Sequence, residues 1–139
     1  MRQSQEMLDV RTRGRGLHDV TESVRACVAR AGLETGLCVV FCPHTSASLL
    51  IQENASPDAA RDLLAWLERL APDGDPRYTH DAEGPDDMAA HLRSAVTRTS
   101  ESIPVVRGAL ALGRWQGLFL VEHRTAPHRR TLIVHGTGA

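Results

Sequence analysis

GLCVVFCPHTSASLLIQEN, residues 36–54, contains two extended runs with a break between them. Gly36 opens LCVVFC, a run apolar at both odd and even positions, as a strand buried on both faces requires. The run therefore reads as a central strand. Pro43 has no N–H to give to a strand ladder, so it ends the run or interrupts it, and ASLLIQEN then resumes the extended pattern. Around the break stand one imidazole, hydroxyl groups and, further on, an acid and an amide: His44, Thr45, Ser46, Ser48, Glu53 and Asn54.

Toward the C-terminus, Ser56 followed by Pro57 is a helix start: the hydroxyl can cap, and proline costs nothing in the first turn. AARDLLAWLERLAP then sets Ala60, Leu63, Leu64, Leu67 and Leu70 on one stripe. Residues 72–87, PDGDPRYTHDAEGPDD, have almost nothing to bury, and a loop of that length in a compact domain is commonly functional. The spacing predicts a helix over about 87–99 with Met88, Leu92, Ala95 and Val96 inward and His91 on or beside that face. SIPVV, GLFLVEHR and RRTLIVHG read as strands. Toward the N-terminus, QEMLDVRTR reads as a first strand broken by Gly14 and Gly16. HDVTESVRACVARAG follows as a helix capped by Asp19 or Thr21, with Val20, Val24, Cys27 and Val28 inward and Gly32 at its end. This order predicts an α+β fold, a two-layer sandwich of mostly antiparallel sheet with packed helices, in one domain over residues 1–139.

Composition removes several chemistries. All 16 cationic side chains are arginine, so a lysine Schiff base and a P-loop lysine are excluded. Arginine still suits carboxylate or phosphate recognition. The net charge of -1 gives no sign of a nucleic-acid or membrane partner. Cys27, Cys38 and Cys42 form no CxxC pair, and only Cys42, two residues from His44, invites comparison with a Cys/His nucleophile pair. The polar start and the absence of a long apolar run predict a cytoplasmic protein without a signal peptide.

The histidines carry the most information. His44, His80 and His91 come from a strand start, a loop and a helix, and three such ligands with an open fourth position describe a catalytic zinc site, with Glu53 or a loop acid as ligand or base. Each also has a structural reading, as a strand-end, solvated-loop or helix-border side chain. Glu122 and Arg124 share a strand face, the acid being either paired with an arginine or tuned for proton transfer. Arg124, Arg129 and Arg130 bracket the last turn and can hold a phosphate or lie as surface charges. Trp115 can stack on a flat ring or pack in the core.

PHTSASLLIQENASPD, YTHDAEGPDDMAAHLRSA, IPVVRGALALGRWQG and FLVEHR together closely resemble the YjbQ-like family, described as secondary thiamine-phosphate synthases, from about residue 4 to residue 135. The resemblance implies a small α+β sandwich assembling as a homotrimer that joins a pyrimidine diphosphate to a thiazole phosphate. Its recurring polar residues fall on His44, Thr45, Ser46, Glu53, Asn54, His80, His91, Trp115, Gln116, Glu122 and Arg124. Together these readings place Glu53 and Glu122 as acid or base. Thr45, Ser46, Asn54, Trp115, Gln116, Arg124 and Arg130 bind a small phosphorylated or anionic metabolite. His44, His80 and His91 hold a divalent metal, zinc before magnesium, since an oxygen-only magnesium site fits imidazoles poorly.

Three functions stay open: a thiamine-phosphate-forming transferase, a metal-dependent hydrolase of a small anion, and a non-catalytic binder of a metal or phosphometabolite. An unbroken strand would send His44 and Glu53, nine residues apart, to opposite faces.

Overall fold

The computed structural model describes residues 1–139. The central run is strand β3 (Thr35–Phe41), the middle member of a five-stranded sheet. On one side it pairs with β8 (Arg129–Gly138), which pairs in turn with β1 (Arg2–Arg11). On the other it pairs with β5 (Ser100–Val106), beside the short β6 (Ala109–Leu110). The chain breaks at Pro43, and β4 (Ala47–Glu53) enters a second sheet of order β2 (Gly16–Asp19), β7 (Gln116–Glu122), β4. Every strand pair is antiparallel. The α+β sandwich expected from the order of elements is the fold observed.

Alternation decides which residues fill the space between the sheets. Cys38 and Val40 of β3, Ile103 and Val105 of β5, and Leu132 and Val134 of β8 point inward. They meet Ala47 and Leu49 of β4 and Leu118 and Leu120 of β7. Helix α1 (Thr21–Ala31) adds Val24, Cys27 and Val28 to this cluster, together with Val20 just before it. Asp19 accepts from the Thr21 N–H and hydroxyl at its start, and Gly32 ends it in the left-handed region at φ 66°. Gly36 is required by a close approach: a Cβ there would lie 2.1 Å from the Thr137 carbonyl oxygen of the neighbouring strand.

The outward positions of the large sheet are less usual. Met7, Ile133 and Phe41 stand directly opposite one another across β1, β8 and β3, with Met7 and Phe41 exposed, and Leu37 and Val106 extend the same apolar face.

Helices α2 (Pro57–Leu70) and α3 (Asp87–Val96) depart from the expected stripes. Ser56 caps α2 by accepting from Asp58 N, but only Leu67 of its stripe is fully buried, and Leu70 and Trp66 are exposed. In α3 the buried face is Asp87, Ala89, Ala90, Arg93 and Ser94, whereas Val96 and Ala95 face outward. Periodicity assigns the interior to apolar groups, but a polar group can be buried when its hydrogen bonds are met. Arg93, 1 % exposed, meets this through its two terminal nitrogens, which donate to His123 O, Ala71 O and the Asp73 carboxylate, and only its Nε has no partner. Strands β2 and β6 were not apparent in the sequence, because four and two residues are too short to show a period.

Candidate functional site

The break after Pro43 positions the site. His44 and Thr45, before β4, form one wall of a cavity of about 590 Å³. Met88, His91, Ser94 and Ala95 of α3 form another, and His80 of the acidic loop and Thr99 complete it. All three histidines singled out in the sequence therefore face one cavity. The donor atoms that converge are those of His80, Asp87 and His91, all within 4.8 Å of one another. Asp87 Oδ2 lies 2.9 Å from His80 Nε2 and 3.2 Å from His91 Nε2.

Local structure explains this convergence. Asp87 and His91 are separated by one helical turn and so share a face. His91 Nδ1 donates to the Thr45 carbonyl at 2.8 Å, which leaves the Nε2 lone pair toward the cavity. Asp87, 1 % exposed, has its other oxygen held by Arg124 Nη1 at 2.9 Å. Arg124 also donates to Asp86 Oδ2 and to the Glu83 carbonyl. Burial acts to raise the Asp86 pKa, but Thr125 N–H and Arg124 outweigh it and bring it down to about 2. Arg124 is thus clamped between two carboxylates.

Arg130 is committed as well. Glu122 points inward opposite Ala47 with no exposure and accepts from Arg130 Nε at 2.9 Å, from Thr12 Oγ1 at 2.7 Å and from Arg124 N at 3.2 Å. Burial would raise its pKa, yet these hydrogen bonds together hold it below the ordinary carboxylate value. Of the two readings of Glu122, the structure has the ion pair, and the partner is Arg130. Arg130 also donates to Ser46 Oγ and Ser46 O, which anchors the segment carrying His44 and Thr45. Arg129 pairs with Asp9 on the surface.

The remaining expected site residues lie at the other end of the second sheet. Ala47 pairs with Glu122 and Glu53 with Gln116, so six residues of strand, roughly 20 Å, separate Glu53 from the start of β4. There Glu53 accepts from Ala55 N and Ser56 N, Asn54 donates to Gln116 O, and Trp115 is 56 % exposed beneath the Arg114 guanidinium. The face relation of His44 to Glu53 is thereby answered. Residues 43–46 are not strand, and the two side chains are parted by strand length within one chain.

Sequence reasoning offered a loop acid as ligand or base without singling out Asp87, whose signal was its four-residue spacing to His91 on a helix. It missed the interior at His123. This imidazole, 1 % exposed, bonds Ser48 Oγ at 2.8 Å, and Thr97 Oγ1 reaches the same hydroxyl. Burial, with Arg93 nearby, drives the His123 pKa down to about 3. The unfolded chain binds a proton here near pH 6.5 and the folded chain does not. This contribution to stability is therefore full above pH 6.5 and is lost as pH falls toward 3. Urea midpoints taken between pH 7 and pH 4 should fall more steeply for the native chain than for His123→Gln; parallel profiles would refute this assignment. Cys42 donates weakly to Ala47 O, and burial raises its pKa to about 11, so the thiol stays protonated.

A family model described as UPF0047 protein YjbQ-like matches residues 6–139. UPF0047 protein sll1880 of a Synechocystis species is 54% identical over 137 residues, 99% of this chain and 93% of the relative. UPF0047 protein YjbQ of Escherichia coli O157:H7 is 37% identical, covering 93% and 94%. Among solved structures, hypothetical protein APE1520 of Aeropyrum pernix superposes with a TM-score of 0.90 at 32% identity, over 98% of this chain and 99% of that one. Conserved hypothetical protein TT1486 of Thermus thermophilus gives 0.83 at 38% identity, over 93% and 97%. No helix is long and apolar enough to cross a membrane.

Proposed function

The chain belongs to the UPF0047 YjbQ-like family, and for it we propose a metal-dependent hydrolase of a small metabolite, with a divalent ion held by His80, Asp87 and His91. The observation that carries this reading is the convergence of two imidazoles that line a 590 Å³ cavity with one buried carboxylate beside them. The donor set fits zinc, or iron or manganese, better than magnesium, which prefers oxygen ligands. The supporting contacts have the character of a metal site: His91 is fixed in one tautomer by Thr45 O, and Asp87 is oriented by Arg124. When bound, such an ion supplies Lewis acidity and brings the pKa of a coordinated water near neutrality.

The transfer reaction implied by the family resemblance, formation of thiamine phosphate, needs cationic groups for a departing pyrophosphate. The arginines expected for that role, Arg124 and Arg130, are held by Asp86, Asp87 and Glu122. This favours hydrolysis over transfer. The homotrimer implied by the family resemblance would have an apolar face to use in the Met7, Ile133, Phe41 row.

The test is elemental analysis of protein purified without chelators, followed by a phosphoester and lactone panel with zinc, manganese and iron. About one ion per chain and turnover of a panel member are expected. A fully loaded protein that stays silent sinks hydrolysis. If it instead forms thiamine phosphate from the two precursors, the transferase reading replaces it, and micromolar ligand binding without turnover points to a sensor.

A further inference from the structure

Continuing the pairing of β3 with β8, in which Phe41 faces Ile133, puts Pro43 opposite Thr131 two residues on. A proline there cannot complete the ladder, and the His44 ring takes up the Thr131 backbone instead. His44 Nε2 lies 2.9 Å from Thr131 N and 3.2 Å from Thr131 O. The closer partner is an N–H, which can only donate, so Nε2 accepts and the proton of the neutral ring sits on Nδ1. No protein group accepts from Nδ1, and it is not among the buried atoms left without a partner, although His44 lines the cavity with His80 and His91.

We propose that His44 is not a metal ligand but a donor, whose Nδ1–H binds an acceptor oxygen of the substrate, carbonyl or phosphoryl, beside the ion held by His80, Asp87 and His91. The proposal rests on the metal reading above and deepens it. Ligation through Nδ1 would require the proton to move to Nε2. That would exchange the 2.9 Å bond for the 3.2 Å one and leave the Thr131 N–H without an acceptor. The donor atoms that do converge within 4.8 Å do not include those of His44. Burial, assisted by the Arg130 charge, lowers the His44 pKa and keeps the ring neutral, in the single tautomer that Thr131 selects. A neutral donor fixed by backbone is well placed to steady charge developing on a substrate oxygen.

Long-range ¹H–¹⁵N spectra of the histidine rings test this directly, with zinc alone and then with inorganic phosphate as an oxygen-bearing probe. His44 is expected to keep its Nδ1 proton on zinc saturation while His80 and His91 shift, and its Nδ1–H resonance is expected to move when phosphate is added. His44→Gln should retain zinc with unchanged stoichiometry and bind phosphate about tenfold more weakly, the loss of one hydrogen bond to a charged acceptor. Loss of the Nδ1 proton on zinc loading, or loss of zinc in His44→Gln, would make His44 a ligand and overturn the proposal. A His44 signal unmoved at saturating phosphate would overturn it too. Failure of the native chain to take up zinc would overturn the metal reading and this proposal together.

Discussion

Asp87→Asn is expected to lower zinc affinity by about 100-fold. The carboxylate has no spare capacity: one oxygen accepts from Arg124 and the other faces both imidazoles. An amide of the same shape has one acceptor and one donor end. Whichever way it turns, it either opposes Arg124 with an NH₂ group or turns that group toward the metal position. A stability loss of about 1–3 kcal/mol should accompany this, because the part-buried contact of Arg124 with the buried carboxylate is weakened. Competition with a chromophoric chelator reads the affinity, and a thermal melt without metal reads the stability. Glu53→Gln, at the far end of β4, serves as the control and should bind zinc as the native chain does. If Asp87→Asn also binds normally, the His80, Asp87, His91 set is not the metal site.

Glu122→Gln is expected to be the most destabilising conservative change, by about 3–5 kcal/mol, because it leaves Arg130 buried and uncompensated. The cost is one of desolvation. Arg130 is 6 % exposed, and its charge is balanced by Glu122 alone among the acids it touches. Replacing both partners with apolar residues of similar volume should recover much of the loss, since a buried ion pair contributes less than the penalty for breaking it. Urea denaturation of the single and double variants measures both. A single variant within about 1 kcal/mol of the native chain would show that Glu122 is not held as a buried carboxylate, and would restore it as a candidate for proton transfer.

These two residues also mark how far the sequence could be read. Glu122 was recognisable as an inward acid because it follows Leu118 and Leu120 at alternate positions, and an arginine partner was one of its two readings. Which arginine is a matter of tertiary structure. Arg124 is nearer in sequence but is drawn to Asp86 and Asp87, whereas Arg130 returns beside Glu122 across the final turn. Similarly, the histidines were legible as a group from different elements, and a loop acid was read as a possible ligand, but that this acid is Asp87 was not legible. Its burial follows from the way α3 turns Asp87 and Arg93 inward against Arg124, Ala71 and His123.

By itself, the sequence determined the local geometry: a central strand from LCVVFC, its end at Pro43, a helix starting near Asp19 and Thr21 and stopping at Gly32, another starting at Ser56, and strands alternating into one core. These depend on φ, on missing N–H groups and on side-chain period, all properties of a few neighbouring residues. Only the tertiary structure decided which polar groups meet. The β4–β7 register puts Ala47 beside Glu122 and leaves Glu53 with Gln116 roughly 20 Å away. It thereby separates residues that a single motif, PHTSASLLIQEN, had placed together. The physical reason is that a strand carries its two ends apart at about 3.4 Å per residue, whereas a helix turn returns Asp87 and His91 to one face.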